Sequence, residues 1–99
     1  MTKISIDITT LQAERAELNA LLASPSAYAD PSYAEKTKRL TEVESLIEKV
    51  TLREKLEKQL AEAQELAQGQ DAELAEFAKQ EIEDVTKQLE ELENELFIS

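Results

Sequence analysis

The chain has no cysteine, no histidine and no tryptophan, and only one glycine and two prolines in 99 residues. Without cysteine there is no disulfide, no thiol nucleophile and no thiolate metal ligand. Without histidine there is no imidazole ligand and no side chain that ordinarily titrates near neutrality. Aromatic residues are 4% of the chain, two Tyr and two Phe, so rings cannot enclose a pocket of useful size. A single glycine excludes a glycine-rich phosphate-binding loop. Apolar runs such as Leu21-Leu22-Ala23 and Leu96-Phe97-Ile98 fall far short of the about 20 residues that a membrane-spanning helix needs. The N-terminus has Lys3 as its one base and no continuous apolar segment, unlike a signal peptide.

What is present is Ala, Leu, Glu, Lys and Gln, the composition of long helices and coiled coils. Charged residues are 33% and the net charge is −11, unevenly placed. Residues 1–31 hold four acids and two bases, residues 32–68 eight and seven, and residues 69–99 ten and two. The last third therefore carries −8 of the −11 and repels phosphate. Any RNA contact is expected from the middle segment, with Lys36, Lys38, Arg39, Lys49, Arg53, Lys55 and Lys58.

The organising feature is a heptad seam. Ala78, Ile82, Val85, Leu89, Leu92 and Leu96 follow one another at spacings of 4, 3, 4, 3 and 4, with Leu74 extending the stripe towards the N-terminus. Such a helix needs a partner. Residues 1–8 alternate Ile with polar residues but have no strand to pair with, and read as a flexible N-terminal arm. Helix one is expected over roughly 9–23, opening near Asp7 to Thr10 with Thr9 and Gln12 as a capping box. Its stripe is Ile8, Leu11, Leu18 and Leu22, and Arg15 lays its stem along the seam. Pro25 ends it. Asp30-Pro31 is a strong start signal, so helix two should run over 31–68, about 55 Å.

Helix two changes face. Leu40, Val43, Ile47 and Val50 make one stripe and Leu56, Leu60, Ala63 and Ala67 another. The six-residue gap from Val50 to Leu56 turns the second stripe about 150° from the first, with Leu46 and Leu52 bridging. The first half thus suits helix one and the second half suits helix three. Glu35–Arg39, Glu54–Lys58 and Glu83–Lys87 are expected as i,i+4 pairs worth a few tenths of a kcal/mol each. Gly69 is placed to end helix two in left-handed geometry, and Asp71 to cap helix three over 71–97. The predicted fold is all-α, an antiparallel three-helix bundle with coiled-coil character. Leu96-Phe97-Ile98-Ser99 reads as a chain cut at a domain boundary, with residues 9–99 the first domain of a larger protein.

Little chemistry is expected. Glu90, Glu91, Glu93 and Glu95 read as a solvated helix face rather than an acid–base pair or a cation site. Gln68-Gly69-Gln70 reads as a helix end rather than a catalytic turn. Tyr28 and Tyr33 read as packing lids on the end of helix one rather than base-stacking platforms. No catalytic, cofactor or metal residue is assigned, and the chain is not expected to be an enzyme.

The order of signals resembles a known family. The Pro- and Asp-containing loop, the long helix from Asp30-Pro31 and the hinge Gly69-Gln70-Asp71 are followed by Glu73-Leu74-Ala75-Glu76-Phe77-Ala78-Lys79-Gln80-Glu81-Ile82. This is similar to the N-terminal helical domain of bacterial class I peptide chain release factors of the UAA/UAG-reading type. In that family the third helix opens Asp-x-Glu-Leu-x-x-x-Ala-x-x-Glu-Leu, matched here by Asp71, Glu73, Leu74, Ala78, Glu81 and Ile82. The resemblance spans roughly residues 10–98. It implies a cytoplasmic factor that reads a stop codon and triggers peptidyl-tRNA hydrolysis through a Gly-Gly-Gln loop. Neither that loop nor the Pro-x-Thr codon-reading tripeptide occurs here; in the family both lie in later domains. It also implies contacts with the large-subunit stalk base of the ribosome, the class II release factor and the release-factor glutamine methyltransferase. No membrane contact and no sequence-specific nucleic-acid binding by this domain are implied. The other reading of the helices is a free-standing coiled-coil adaptor or chaperone-like protein.

Overall fold

The computed structural model describes residues 6–98. They form three α-helices, α1 (Ile8–Leu22), α2 (Tyr33–Ala67) and α3 (Ala72–Ile98), with a short 3-10 turn at Ala27–Ala29. No strand occurs among the described residues, and the fold is all-α. The chain divides into two compact units, Ser5–Val50 and Thr51–Ser99. The division falls inside α2, directly after Val50, the last residue of the first stripe. The change of face expected between Val50 and Leu56 is thus where one unit gives way to the other.

In the first unit, α1 packs on the leading half of α2. Leu11 and Leu18 meet Val43 and Ile47, and Ile6, Ile8, Leu40 and Leu46 close around them. Burying a side chain of this size contributes about 1.5–3 kcal/mol. Arg39 and Glu14 tie the helices together: Arg39 Nε and Nη2 donate to Glu14 Oε2 and Oε1 at 2.6 and 2.8 Å. This fork-on-fork pairing replaces the expected Glu35–Arg39 pair, because a planar guanidinium gains two parallel bonds from Glu14. The Arg39 bonds hold the Glu14 carboxyl below its ordinary range.

Helix starts differ from expectation in detail. Asp7, not Thr9, caps α1, accepting from the Thr9 and Thr10 amides at 3.0 and 3.4 Å and from the Thr10 hydroxyl at 2.9 Å. The Thr10 hydroxyl bond holds the Asp7 carboxyl below its usual value. The Asp7 carboxylate meets three donors with two oxygens, one more acceptor atom than a threonine hydroxyl offers. Because Asp7 caps α1, Ile8 is helical and Ile6 packs on the core, the arm expected over 1–8 does not extend to residues 6–8. The remainder of that arm lies outside the described residues.

At the next start, α2 begins at Tyr33 rather than Pro31. Asp30 Oδ1 accepts from the Ser32 amide and hydroxyl at 2.8 and 2.7 Å, and its carbonyl accepts from Tyr33 N–H at 3.0 Å. Pro31 and Ser32 are therefore used in a turn that precedes the helix.

In the second unit, the buried residues are Arg53, Leu56 and Ala63 on α2 and Ala78, Val85, Leu92 and Leu96 on α3. Ile82 and Leu89 are half-buried. Leu74 does not extend the seam, being 50% exposed. Asp71 caps α3, its Oδ1 accepting from the Glu73 and Leu74 amides at 3.0 and 3.1 Å. Gly69 is not left-handed, since no glycine has a positive φ. Its role is close approach: a Cβ there would sit 3.2 Å from the Leu66 carbonyl oxygen. That carbonyl accepts from the Gly69 amide at 3.1 Å, which ends α2 in a tight turn.

Candidate functional site

The described residues hold no group of three or more Asp or Glu side chains that could take a metal ion. The cluster Glu90, Glu91, Glu93 and Glu95 is split. Glu93 turns inward and accepts from Arg53 Nη1 at 3.0 Å, while Glu90, Glu91 and Glu95 are exposed. Glu73, Glu76, Glu83 and Asp84 are exposed on the same helix. Glu76, Glu83 and Glu90 recur every seven residues, so they form a column along α3 away from its seam.

Arg53 is a residue that apolar periodicity passes over. It is 4% exposed, and it sits three residues after Val50 and three before Leu56. It therefore fills the core position in the six-residue gap. The signal in the sequence was the 3,3 division of that gap, which only appears when an arginine is allowed on a seam.

Two other middle-segment bases also pair with carboxylates of the chain, although both stay partly exposed. Arg53 pairs with Glu93, Arg39 with Glu14, and Lys36 with Asp30 at 3.3 Å. Three of the seven bases from which RNA contact was expected thus serve internal ion pairs. Lys36 and Ser32 together hold the Asp30 carboxyl at about 2; the Ser32 hydroxyl and amide bonds are the larger causes.

Tyr28 and Tyr33 stack on each other, with ring centroids 4.9 Å apart and planes tilted by 36°. Tyr33 is half-buried, but Tyr28 is 79% exposed and is no lid. The small Ala27 beside it takes the buried place instead. Gln68, Gly69 and Gln70 are an exposed turn. At the start of α3, Phe77 is 71% exposed and lies one turn from Leu74.

These features define an all-α helical domain whose candidate site is a surface, the acidic outer face of α3 with apolar side chains at its N-terminal end. No helix among the described residues is long and apolar enough to cross a membrane. The family model for the PCRF domain matches residues 11–99, and the chain belongs to that family, a peptide chain release factor-type domain. Membership fits a release-factor role in translation termination. No solved structure matches the chain.

Proposed function

We propose that this chain is the N-terminal ribosome- and factor-interacting domain of a bacterial class I release factor of the UAA/UAG-reading type, acting in the cytoplasm. The domain itself performs no catalysis. Codon reading and peptidyl-tRNA hydrolysis belong to other parts of the full factor. Its contacts are protein contacts: the stalk base of the large subunit, the class II factor and the glutamine methyltransferase that modifies the Gly-Gly-Gln loop. The observation that carries this reading is the exposed acidic column of α3, set against a chain whose arginines 39 and 53 are committed to internal carboxylates. Such a surface suits a basic protein and repels bare RNA.

Sedimentation of the chain with purified bacterial large ribosomal subunits tests it. Binding is expected at low salt, and Glu83→Lys combined with Glu90→Lys should weaken it about tenfold, mainly through the association rate. Binding that the double variant leaves unchanged would remove the acidic face from the interface. An encoding frame that stops at Ser99, with no Gly-Gly-Gln domain beyond, would refute the release-factor reading.

A further inference from the structure

Phe77 is an anomaly on its helix. The chain has few aromatic residues, and yet this ring stands 71% exposed on the outer flank of a charged helix. Leu74, three residues earlier and therefore its neighbour on the helix surface, is 50% exposed. Leu66, near the end of α2 that leads into the same turn, is 47% exposed. A lone exposed leucine needs no explanation, but an aromatic ring with apolar neighbours at one tip does.

The helix start at the tip is also capped. Asp71 fixes the first turn of α3 through the Glu73 and Leu74 amides. Gly69 lets the chain turn tightly against the Leu66 carbonyl. The side chains are thus presented on a capped helix start, not on a loose loop.

The charge around the tip selects the occupant. Residues 62–81 contain six acids and one base, a net −5. That base, Lys79, lies 3.9 Å from Glu76 and so is already shared with an acid. Asp71, Glu73 and Glu76 are exposed around the apolar residues. A phosphate backbone is repelled by such a rim. A second copy of the same tip would bring −5 against −5, which like-charge juxtaposition disfavours. A protein with an apolar cleft edged by Lys and Arg fits both parts, and aromatic anchors ringed by polar contacts are the usual centres of such interfaces.

We propose that Phe77, with Leu74 beside it, is an apolar anchor that inserts into a cleft on a basic protein of the large ribosomal subunit. The proposal rests on the ribosome-binding reading above and assigns its anchoring residues. The chain carrying p-benzoylphenylalanine at position 77 is bound to purified large subunits and irradiated. The cross-link is expected on a basic ribosomal protein; a cross-link on ribosomal RNA overturns the proposal. In sedimentation, Phe77→Ser should weaken binding about tenfold or more while Phe77→Trp retains it. Because the ring is exposed, the thermal midpoint of Phe77→Ser should match the parent, which separates lost docking from lost folding. Equal binding by Phe77→Ser and the parent overturns the anchor and leaves ribosome binding standing. If the parent chain does not bind subunits, both readings fall. A dimer of the free chain that Phe77→Ser dissolves also overturns the proposal, since the occupant is then a second copy.

Discussion

Arg53 occupies a seam position, buried to 4% exposure, and donates there to Glu93. A guanidinium taken from water is tolerated when its charge is met by a carboxylate, and truncating it leaves a void and takes away the partner of Glu93. Arg53→Ala is expected to cost about 3 kcal/mol, whereas Arg53→Met keeps the aliphatic volume and should cost much less. Urea unfolding separates the two, and equal midpoints for Arg53→Ala and the parent would deny the ion pair a structural role. Asp30 gives a second test at this scale. Its folded carboxyl sits at about 2, below the ordinary 3.8. A depressed acid contributes stability above its unfolded value and loses it as pH falls through the folded one. The gap in thermal midpoint between the parent and Asp30→Asn should be constant at neutral pH and should close as pH falls through about 4 to 2. A gap that persists at the acid end would assign the effect to geometry alone.

Among the elements, α3 shows how far periodicity reaches. Ala78, Val85, Leu92 and Leu96 are buried as their heptad spacing required, and the Asp71 cap is where the Gly69-Gln70-Asp71 hinge placed it. Leu74 fits the same spacing yet is exposed, because it lies in the first turn of α3, close to the end of α2, whose last residue is the small Ala67. Periodicity reports which side of a helix a residue is on, not whether a neighbour reaches that level. The inward arginine was illegible for a related reason: charge is ordinarily the mark of the outside. The turn chemistry at Asp7 and Asp30 was legible as polar start signals, but not which oxygen meets which amide. Leu92→Ala should cost about 2–5 kcal/mol and Leu74→Ala less than about 0.5, with Ile82→Ala between them. Chemical denaturation of the three variants orders them; a large loss at Leu74 would mean that the seam does extend into the first turn of α3.

At the scale of the molecule, −11 on 99 residues is a standing self-repulsion, concentrated in the last third. Salt screens charges farther apart than about 10 Å at 0.1 M. Raising NaCl from about 10 mM to about 0.3 M should lift the thermal midpoint by a few degrees, against a small loss from the Arg39–Glu14 pair. A midpoint that falls with salt would mean that internal ion pairs outweigh the repulsion. The division after Val50 has a further consequence, in the order of synthesis. Leu11, Leu18, Val43 and Ile47, a buried core cluster of the first unit, have all been added before Thr51 is joined to the chain. That unit's two helices are joined through residues 23–32, and closing a loop of that length adds only a modest entropic cost. The first hairpin can therefore form as soon as it clears the exit tunnel, while the acidic helix that completes the second unit is still being translated.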